Sequence, residues 1–311
     1  SPELLWQLVR VSEPQLSPDG SKLLYAVRST DLAANKGTSQ LFLLDVATKE
    51  RRQLTTTGSN SNGCFAPDGQ RVAFISSRNG SPQIFVIALD GGEARQVTQH
   101  EGGVANMAWS PSGKHFSFTA EVKLEPGVVD RHPDLPKAEA KVYDDLLVRH
   151  WDSWNEGTYS HLFVVASEGG VAVDLMEGMR VDTPLKPFGG GEQIAWSPDG
   201  AELCYTAKPV PNPESSTDSS LFLGSIAQPT THKNLTPGMP GYDTEPRFSP
   251  DGKQIAFLSM GRDGYEADKN RLMLLDRATG SVRDLTEGFD QNALEPIWSR
   301  DGLRGVFASE T

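Results

Sequence analysis

The sequence predicts an all-β fold, a β-propeller built from four-stranded antiparallel blades. Three observations carry that expectation. A Ser-Pro-Asp-Gly phrase recurs at near-constant spacing, the same alternating apolar strand follows it, and a Leu-Thr or Val-Thr pair recurs at the end of the repeat.

The phrase appears as Leu16-Ser17-Pro18-Asp19-Gly20, Phe65-Ala66-Pro67-Asp68-Gly69 and Trp109-Ser110-Pro111-Ser112-Gly113. It returns as Trp196-Ser197-Pro198-Asp199-Gly200, Phe248-Ser249-Pro250-Asp251-Gly252 and Trp298-Ser299-Arg300-Asp301-Gly302. Counted at the proline slot, the intervals are 49, 44, 87, 52 and 50 residues, four of them near the length of one blade. Proline presets φ for the second turn position, and Asp-Gly tolerates the positive φ that follows, so the phrase joins two antiparallel strands.

The second strands are Lys22–Val27, Arg71–Ser76 and Gln254–Ser259. Third strands follow at Gln40–Asp45, Gln83–Ala88 and Arg271–Asp276. A Gly- or Thr-containing turn then leads to a short fourth strand ending in Leu54-Thr55, Val97-Thr98, Leu235-Thr236 or Leu285-Thr286. No segment of helical period interrupts these strands. Trp109, Trp196 and Trp298 immediately precede their turns, where packing between blades is the expected role.

The interval of 87 residues reads as one blade carrying an insertion. After Lys114–Glu121 the third strand is delayed until Ser160–Val165, and the arm 122–159 between them is rich in charge and proline. Long excursions from a regular scaffold carry function or order a partner. The count gives five full blades and a sixth that stops after its second strand, Leu303–Ser309. The chain is therefore expected to be one incomplete propeller domain over 1–311, with Thr311 an artificial or proteolytic end. An unfinished blade exposes a strand edge, so oligomerisation through that edge or the arm is a further expectation.

Composition agrees with a packed fold: 37% of residues are hydrophobic and 23% charged, and the 30 Gly and 21 Pro fall at turns rather than in low-complexity tracts. A net charge of −12 repels phosphate backbones and argues against a nucleic-acid partner. No stretch reaches the ~20 apolar residues of a membrane span. The start, Ser1-Pro2-Glu3, has no basic-then-apolar leader. The two cysteines, Cys64 and Cys204, fall on strands of different repeats and read as unpaired thiols.

Catalytic constellations are not apparent. The pentapeptide Gly-x-Ser-x-Gly does not occur, and His150 and His161 belong to no HExxH or CxxC pattern, so no metal or other cofactor is expected. Gly189-Gly190-Gly191 precedes a strand rather than a helix, which disfavours a phosphate cradle. Asn234-Leu235-Thr236 is a glycosylation sequon only in a eukaryotic secretory setting. Taken alone, the chain is expected not to be an enzyme.

Longer stretches narrow the reading. They are Leu147–Trp154 with Ser160–Phe163, Pro187–Glu192 leading to Trp196, Gly241–Pro246, and Ser259–Leu272. With the tandem blades, these segments resemble the N-terminal propellers of prolyl oligopeptidase-family (S9) serine peptidases, in particular dipeptidyl peptidase 5 and acylaminoacyl-peptidase-like members. The resemblance spans nearly the whole chain. It implies a propeller that roofs the active site of a C-terminal α/β-hydrolase domain, admits short peptides and helps to hold the substrate N-terminus. This chain carries no such hydrolase domain, so any catalysis belongs to a parent protein. The resemblance favours a periplasmic or secreted location and leaves the cytoplasm open.

A dipeptidyl peptidase must measure two residues from a free α-amine, and a carboxylate facing the ammonium is the physical means. The loop Arg262–Asp268 offers Glu266, Asp268 and Asp263, with Tyr265 nearby; Glu266, with or without Asp268, is the expected anchor. Arg149, Trp151 and Trp154 in the arm are expected to line the cavity or to grip the hydrolase domain. The alternative is a stand-alone TolB-like propeller serving as a protein-binding platform, and a propeller with chemistry in its central channel ranks below both.

Overall fold

The computed structural model describes residues 1–302 and 304–309; Leu303, Glu310 and Thr311 lie outside the described residues, and with them the expected chain end at Thr311. Each repeat folds as one antiparallel sheet. A short helix, α1 (Pro2–Gln7), precedes the first sheet of β1 (Arg10–Leu16), β2 (Lys22–Asp31), β3 (Lys36–Asp45) and β4 (Arg51–Gln53). The second sheet holds β5 (Asn60–Phe65), β6 (Arg71–Ser76), β7 (Gln83–Ala88) and β8 (Arg95–Gln96). The third begins with β9 (Ala105–Trp109) and β10 (His115–Lys123). An excursion follows with helix α2 (Val128–Arg131) and a hairpin of β11 (Arg149–His150) and β12 (Ser153–Trp154). Strands β13 (Thr158–Ala166) and β14 (Val173–Asp174) then complete the sheet.

The fourth sheet holds β15 (Ile194–Trp196), β16 (Glu202–Ala207), β17 (Ser220–Ser225) and β18 (His232–Asn234). The fifth holds β19 (Asp243–Phe248), β20 (Gln254–Ser259), β21 (Arg271–Asp276) and β22 (Val282–Asp284). A two-stranded sheet of β23 (Leu294–Trp298) and β24 (Gly305–Ala308) follows. The chain divides into two compact units, Ser1–Ala120 with Phe163–Val173, and Glu121–Leu162 with the residues from Asp174 onward.

The Ser-Pro-Asp-Gly phrase makes its turn by local bonding. The Ser17 N–H donates to the Lys22 carbonyl at 2.8 Å and the Gly20 N–H to the Ser17 carbonyl at 2.8 Å. Ser17 Oγ accepts the Lys22 N–H at 2.9 Å and donates to Asp19 Oδ1 at 2.6 Å. The Ser17 hydroxyl, and then the Ser21 groups, hold the Asp19 carboxyl down at about 2. Ser197, Ser249 and Ser299 repeat both side-chain bonds. Ala66 has no hydroxyl, and there Asp68 turns instead to the Gln70 N–H and the Arg71 guanidinium.

The turns also stack on one another. Gly69 and Gly113 lie against the rings of Pro18 and Pro67 in the first unit, and Gly252 and Gly302 against Pro198 and Pro250 in the second. Each of these glycines has φ near +70°, the left-handed region that a side chain disfavours.

The fourth strands are shorter than the sequence suggested. They stop before Leu-Thr, yet that pair remains bonded to the third strand. The Leu54 N–H donates to the Leu41 carbonyl, and Thr55 Oγ1 accepts the Leu41 N–H at 2.9 Å. Thr98, Thr236 and Thr286 accept from Ile84, Leu221 and Leu272 in the same way. The threonine hydroxyl thus satisfies a buried backbone donor where the ladder ends, which explains its recurrence. At the corresponding place in the third sheet the Met176 thioether faces the Leu162 N–H at 3.4 Å.

Two further boundaries differ. The first sheet's hairpin extends through Asp31↔Lys36, beyond the expected strands, and β10 and β13 narrow the excursion to 124–157. Five first strands carry a register shift beside a positive-φ residue, namely Glu13, Asn62, Asn106, Glu245 and Glu295. These bulges left no common mark in the sequence, because only Asn62 and Asn106 are of a residue type that favours such a conformation, and the other three are glutamates.

In the first unit, Leu24, Leu41, Phe65, Phe74 and Phe85 form a buried cluster between the first two sheets. In the second unit, Cys204, Leu221, Ile255, Phe257 and Met273 join the fourth and fifth sheets. Trp109 and Trp298 bridge neighbouring sheets: Arg71 lies 5.3 Å from the Trp109 ring, and Trp298 Nε1 donates to the Arg247 carbonyl at 3.0 Å. Cys64 and Cys204 are unpaired.

Candidate functional site, a cavity between two loops

Antiparallel order fixes where irregular chain can go. The turns joining first and second strands lie at one end of each sheet, and the loops joining second and third strands at the other. In the second unit two such loops, 208–219 and 260–270, enclose a shallow cavity of about 480 Å³. Glu214, Ser216, Thr217, Tyr265 and Glu266 are among its lining residues.

The acidic residues of 260–270 have different tasks. Asp263 Oδ1 accepts from Ser216 Oγ at 2.7 Å, the Thr217 N–H at 2.8 Å and the Asp218 N–H at 3.2 Å. The Gly264 N–H donates back to Thr217 Oγ1 at 2.9 Å. The Ser216 hydroxyl, then these backbone donors, hold the Asp263 carboxyl below its usual range. Asp263 is therefore a clip that ties the two loops together. Asp268 is bound by the Arg262 guanidinium, with Nε 2.9 Å from Oδ1 and 3.1 Å from Oδ2, and that bonding holds its carboxyl low. Arg262 also lies 3.9 Å from the centre of the exposed Tyr265 ring.

Glu266 is not drawn into this bonding and stands exposed on the cavity wall, as does Glu214 on the opposing loop. Lys208 lies at the base of the 208–219 loop and donates to the Pro213 carbonyl at 2.7 Å. Burial pushes its ammonium down, against the pull of Asp263, Glu214, Glu266 and Asp218. The geometry thus leaves Glu266, alone of the three expected carboxylates, available to a cationic ligand. Lys208 and Glu214 were not legible in the sequence, since neither carries a motif.

The arm residues are held separately. Glu125 takes the Tyr159 hydroxyl at 2.5 Å and Arg180 at 2.5 Å, and the pairs Lys123–Asp130, Arg131–Asp144 and Lys141–Glu156 stitch the excursion together. Arg149 pairs with Trp154 across the small hairpin, its guanidinium 5.6 Å from the ring. Trp151, at the hairpin tip with φ of 46°, is 66% exposed. It packs on His150 and on Phe188, which is itself 79% exposed, with centroids 4.8 and 5.4 Å away. Trp151 therefore reaches the loop before the fourth sheet rather than the Glu266 loop. The sequence contained Phe188 in a noted stretch but gave it no role. His161 is buried, with Nδ1 2.8 Å from Asp174 and Nε2 2.8 Å from the Met179 carbonyl. Among the described residues no cluster of three or more His, Cys, Asp or Glu side chains could hold a metal ion.

Residues 9–141 match the family described as TolB beta propeller domain. The chain is a TolB-like β-propeller domain. Its homologues include dipeptidyl-peptidase 5 of Porphyromonas gingivalis, 40% identical over 99% of this propeller and 45% of that protein. Dipeptidyl-peptidase 5 of Porphyromonas endodontalis is 39% identical over 88% of the propeller and 40% of that protein. Among solved structures, Pyrococcus horikoshii acylaminoacyl peptidase superposes with a TM-score of 0.72 at 14% identity, over 98% of this propeller and 43% of that chain. The propeller spans less than half the length of these relatives.

Proposed function

We propose that this propeller is the substrate-gating and N-terminus-recognising part of a serine dipeptidyl peptidase that releases dipeptides from short peptides, with Glu266 receiving the substrate ammonium. The observation that carries the reading is the division of labour in one loop. Asp263 and Asp268 are consumed in shaping it, and Glu266 is left facing the cavity. A carboxylate so placed can bind a free α-amine by a charge-assisted hydrogen bond and gains nothing from a blocked one. The homology to proteins named dipeptidyl-peptidase 5 supports the substrate class.

The test uses an enzyme carrying this propeller. Glu266→Gln is expected to raise KM for free-amine dipeptide substrates about tenfold while leaving N-blocked substrates near their original KM. An equal rise for both substrate types would remove Glu266 from amine recognition. The exposed pair Trp151 and Phe188 favours a second reading, a stand-alone platform that binds other proteins through aromatic surface. Under that reading Trp151→Ser, and not Glu266→Gln, would abolish the binding function.

A further inference from the structure

One buried position recurs at the loop end of successive sheets, at or just before the start of the first strand, except in the fourth sheet, where the residue bonded in the same way precedes β15 by eleven residues. It is occupied by Asn60, Val104, Thr183, Asp243 and Ala293, which are 0 to 5% exposed. In four of these the backbone N–H donates to the preceding sheet: Val104 to Pro82, Thr183 to Ser160, Asp243 to Ser219 and Ala293 to Asn270. The side chains differ in how they are accommodated. Val104 and Ala293 are apolar, and Thr183 Oγ1 donates to the Thr206 carbonyl at 2.8 Å. Asn60 donates to Gln40 Oε1 at 2.9 Å and accepts from Arg78 at 3.3 Å.

Asp243 is the exception. It is fully buried, and neither carboxyl oxygen makes a well-formed hydrogen bond, although the Ser259 and Thr236 hydroxyls act on it. The reason is readable in its neighbours. Where Gln40 precedes Leu41 and reaches Asn60, Ser220 precedes Leu221 and is too short to do the same for Asp243. Ser259 pairs with Asp243 across the sheet but donates its hydroxyl to the Met260 carbonyl at 3.1 Å. Arg271 is spent on Ser259 Oγ at 3.1 Å and the Met260 carbonyl at 3.2 Å.

The charged groups that act on Asp243 are Asp218, from the segment before β17, and Arg271, at the start of β21. Asp218 itself has a buried Oδ1 without a partner. Burial pushes the Asp243 carboxyl up to about 7. The Ser259 and Thr236 hydroxyls pull against that rise, Asp218 adds to it and Arg271 opposes it.

Asp243 also stands at the root of both loops that line the cavity. Its N–H donates to the Ser219 carbonyl, and Ser219 Oγ donates to the Asp243 carbonyl at 3.0 Å, which anchors the end of 208–219. The Met260 N–H donates to the Tyr242 carbonyl at 3.0 Å, while Arg271 grips Ser259 and Met260, which anchors both ends of 260–270. We propose that Asp243 is a proton-operated latch: protonated, it packs as a neutral group, and its ionisation loosens the shared root of the two cavity loops. The proton leaves to solvent, and a carboxylate answered only by the Ser259 and Thr236 hydroxyls stays behind in the core, a state that favours local opening.

The sign follows from linkage. The folded-state value lies above the ordinary value of 3.8, so the stability is fully present below about 3.8 and is lost as the pH rises to about 7. Above that, little further change is expected from this group. The latch does not depend on what the cavity binds, so it stands or falls apart from the Glu266 reading.

Hydrogen exchange of the folded chain tests it. After correction for intrinsic chemistry, amides of 208–219 and 260–270 are expected to exchange roughly tenfold faster at pH 8 than at pH 5.5, with the turn end unchanged. Asp243→Asn should remove the pH dependence, as should Asp243→Thr, which installs the residue found at Thr183. A carboxyl carbon NMR titration of the unsubstituted chain provides a readout that needs no variant. An Asp243 midpoint near 4 would overturn the latch, whether an internal water or a side-chain movement supplied the donor. Persistence of the pH dependence in both variants would overturn it as well, and would assign it to Asp218.

Discussion

The two ends of these sheets are built on different principles. At the turn end, one serine, one aspartate and one glycine close four of the six hairpins with bonds made inside six residues, and glycine on proline joins neighbouring turns. At the loop end, Asp263 clips a segment some 45 residues away, Trp151 meets Phe188, and Asp243 is buried without a partner. Local, repeated bonding makes the turn end nearly insensitive to its surroundings. The loop end is free to vary because nothing local constrains it, and the residues available to a ligand are found there.

Perturbing the turn end should therefore cost stability and leave the cavity alone. Gly252→Val places a β-branched side chain at φ of 70° and 3.5 Å from Pro198, and is expected to cost about 2 kcal/mol. Urea melts should show a lower midpoint at unchanged slope. An unchanged midpoint would show that this turn does not clamp its sheet.

A smaller, reciprocal effect sharpens the same point. Ser249→Ala removes the acceptor for the Gln254 N–H and should lose about 1 kcal/mol. Ala66→Ser supplies the hydroxyl that the second repeat lacks and should gain a fraction of that amount. If both substitutions were neutral, the serine would be a passenger of the turn and not one of its braces.

The smallest effect on stability is expected at the loop end. Arg262→Ala frees Asp268 and uncovers Tyr265, yet Arg262 is an exposed partner screened by solvent, so the urea midpoint should barely move. The loop 260–270 should nonetheless exchange its amides faster. A loss of several kcal/mol, measured by the same melts, would erase the contrast between the two ends.

The blades were legible because their determinants are close in sequence. Proline and glycine at fixed offsets specify a turn by their own φ preferences, and alternation specifies the strands on either side. Even the recurrent Leu-Thr was visible, although its reason, a hydroxyl on a buried N–H, was not. The candidate site was legible only in part. Glu266, Asp263 and Asp268 could be picked out as an acidic loop, but which one would remain available depended on Ser216, Thr217 and Arg262.

By itself, then, the sequence determined the all-β class, the repeat and the place of the excursion, through dihedral preferences and period-two patterning that act over a few residues. Tertiary structure alone decided that Asp263 would be a clip, that Glu266 would face a cavity, and that Asp243 would sit unpaired where other sheets bury valine or alanine. Hydrogen-bond satisfaction and desolvation depend on which distant groups arrive at a given point, and no local pattern encodes that.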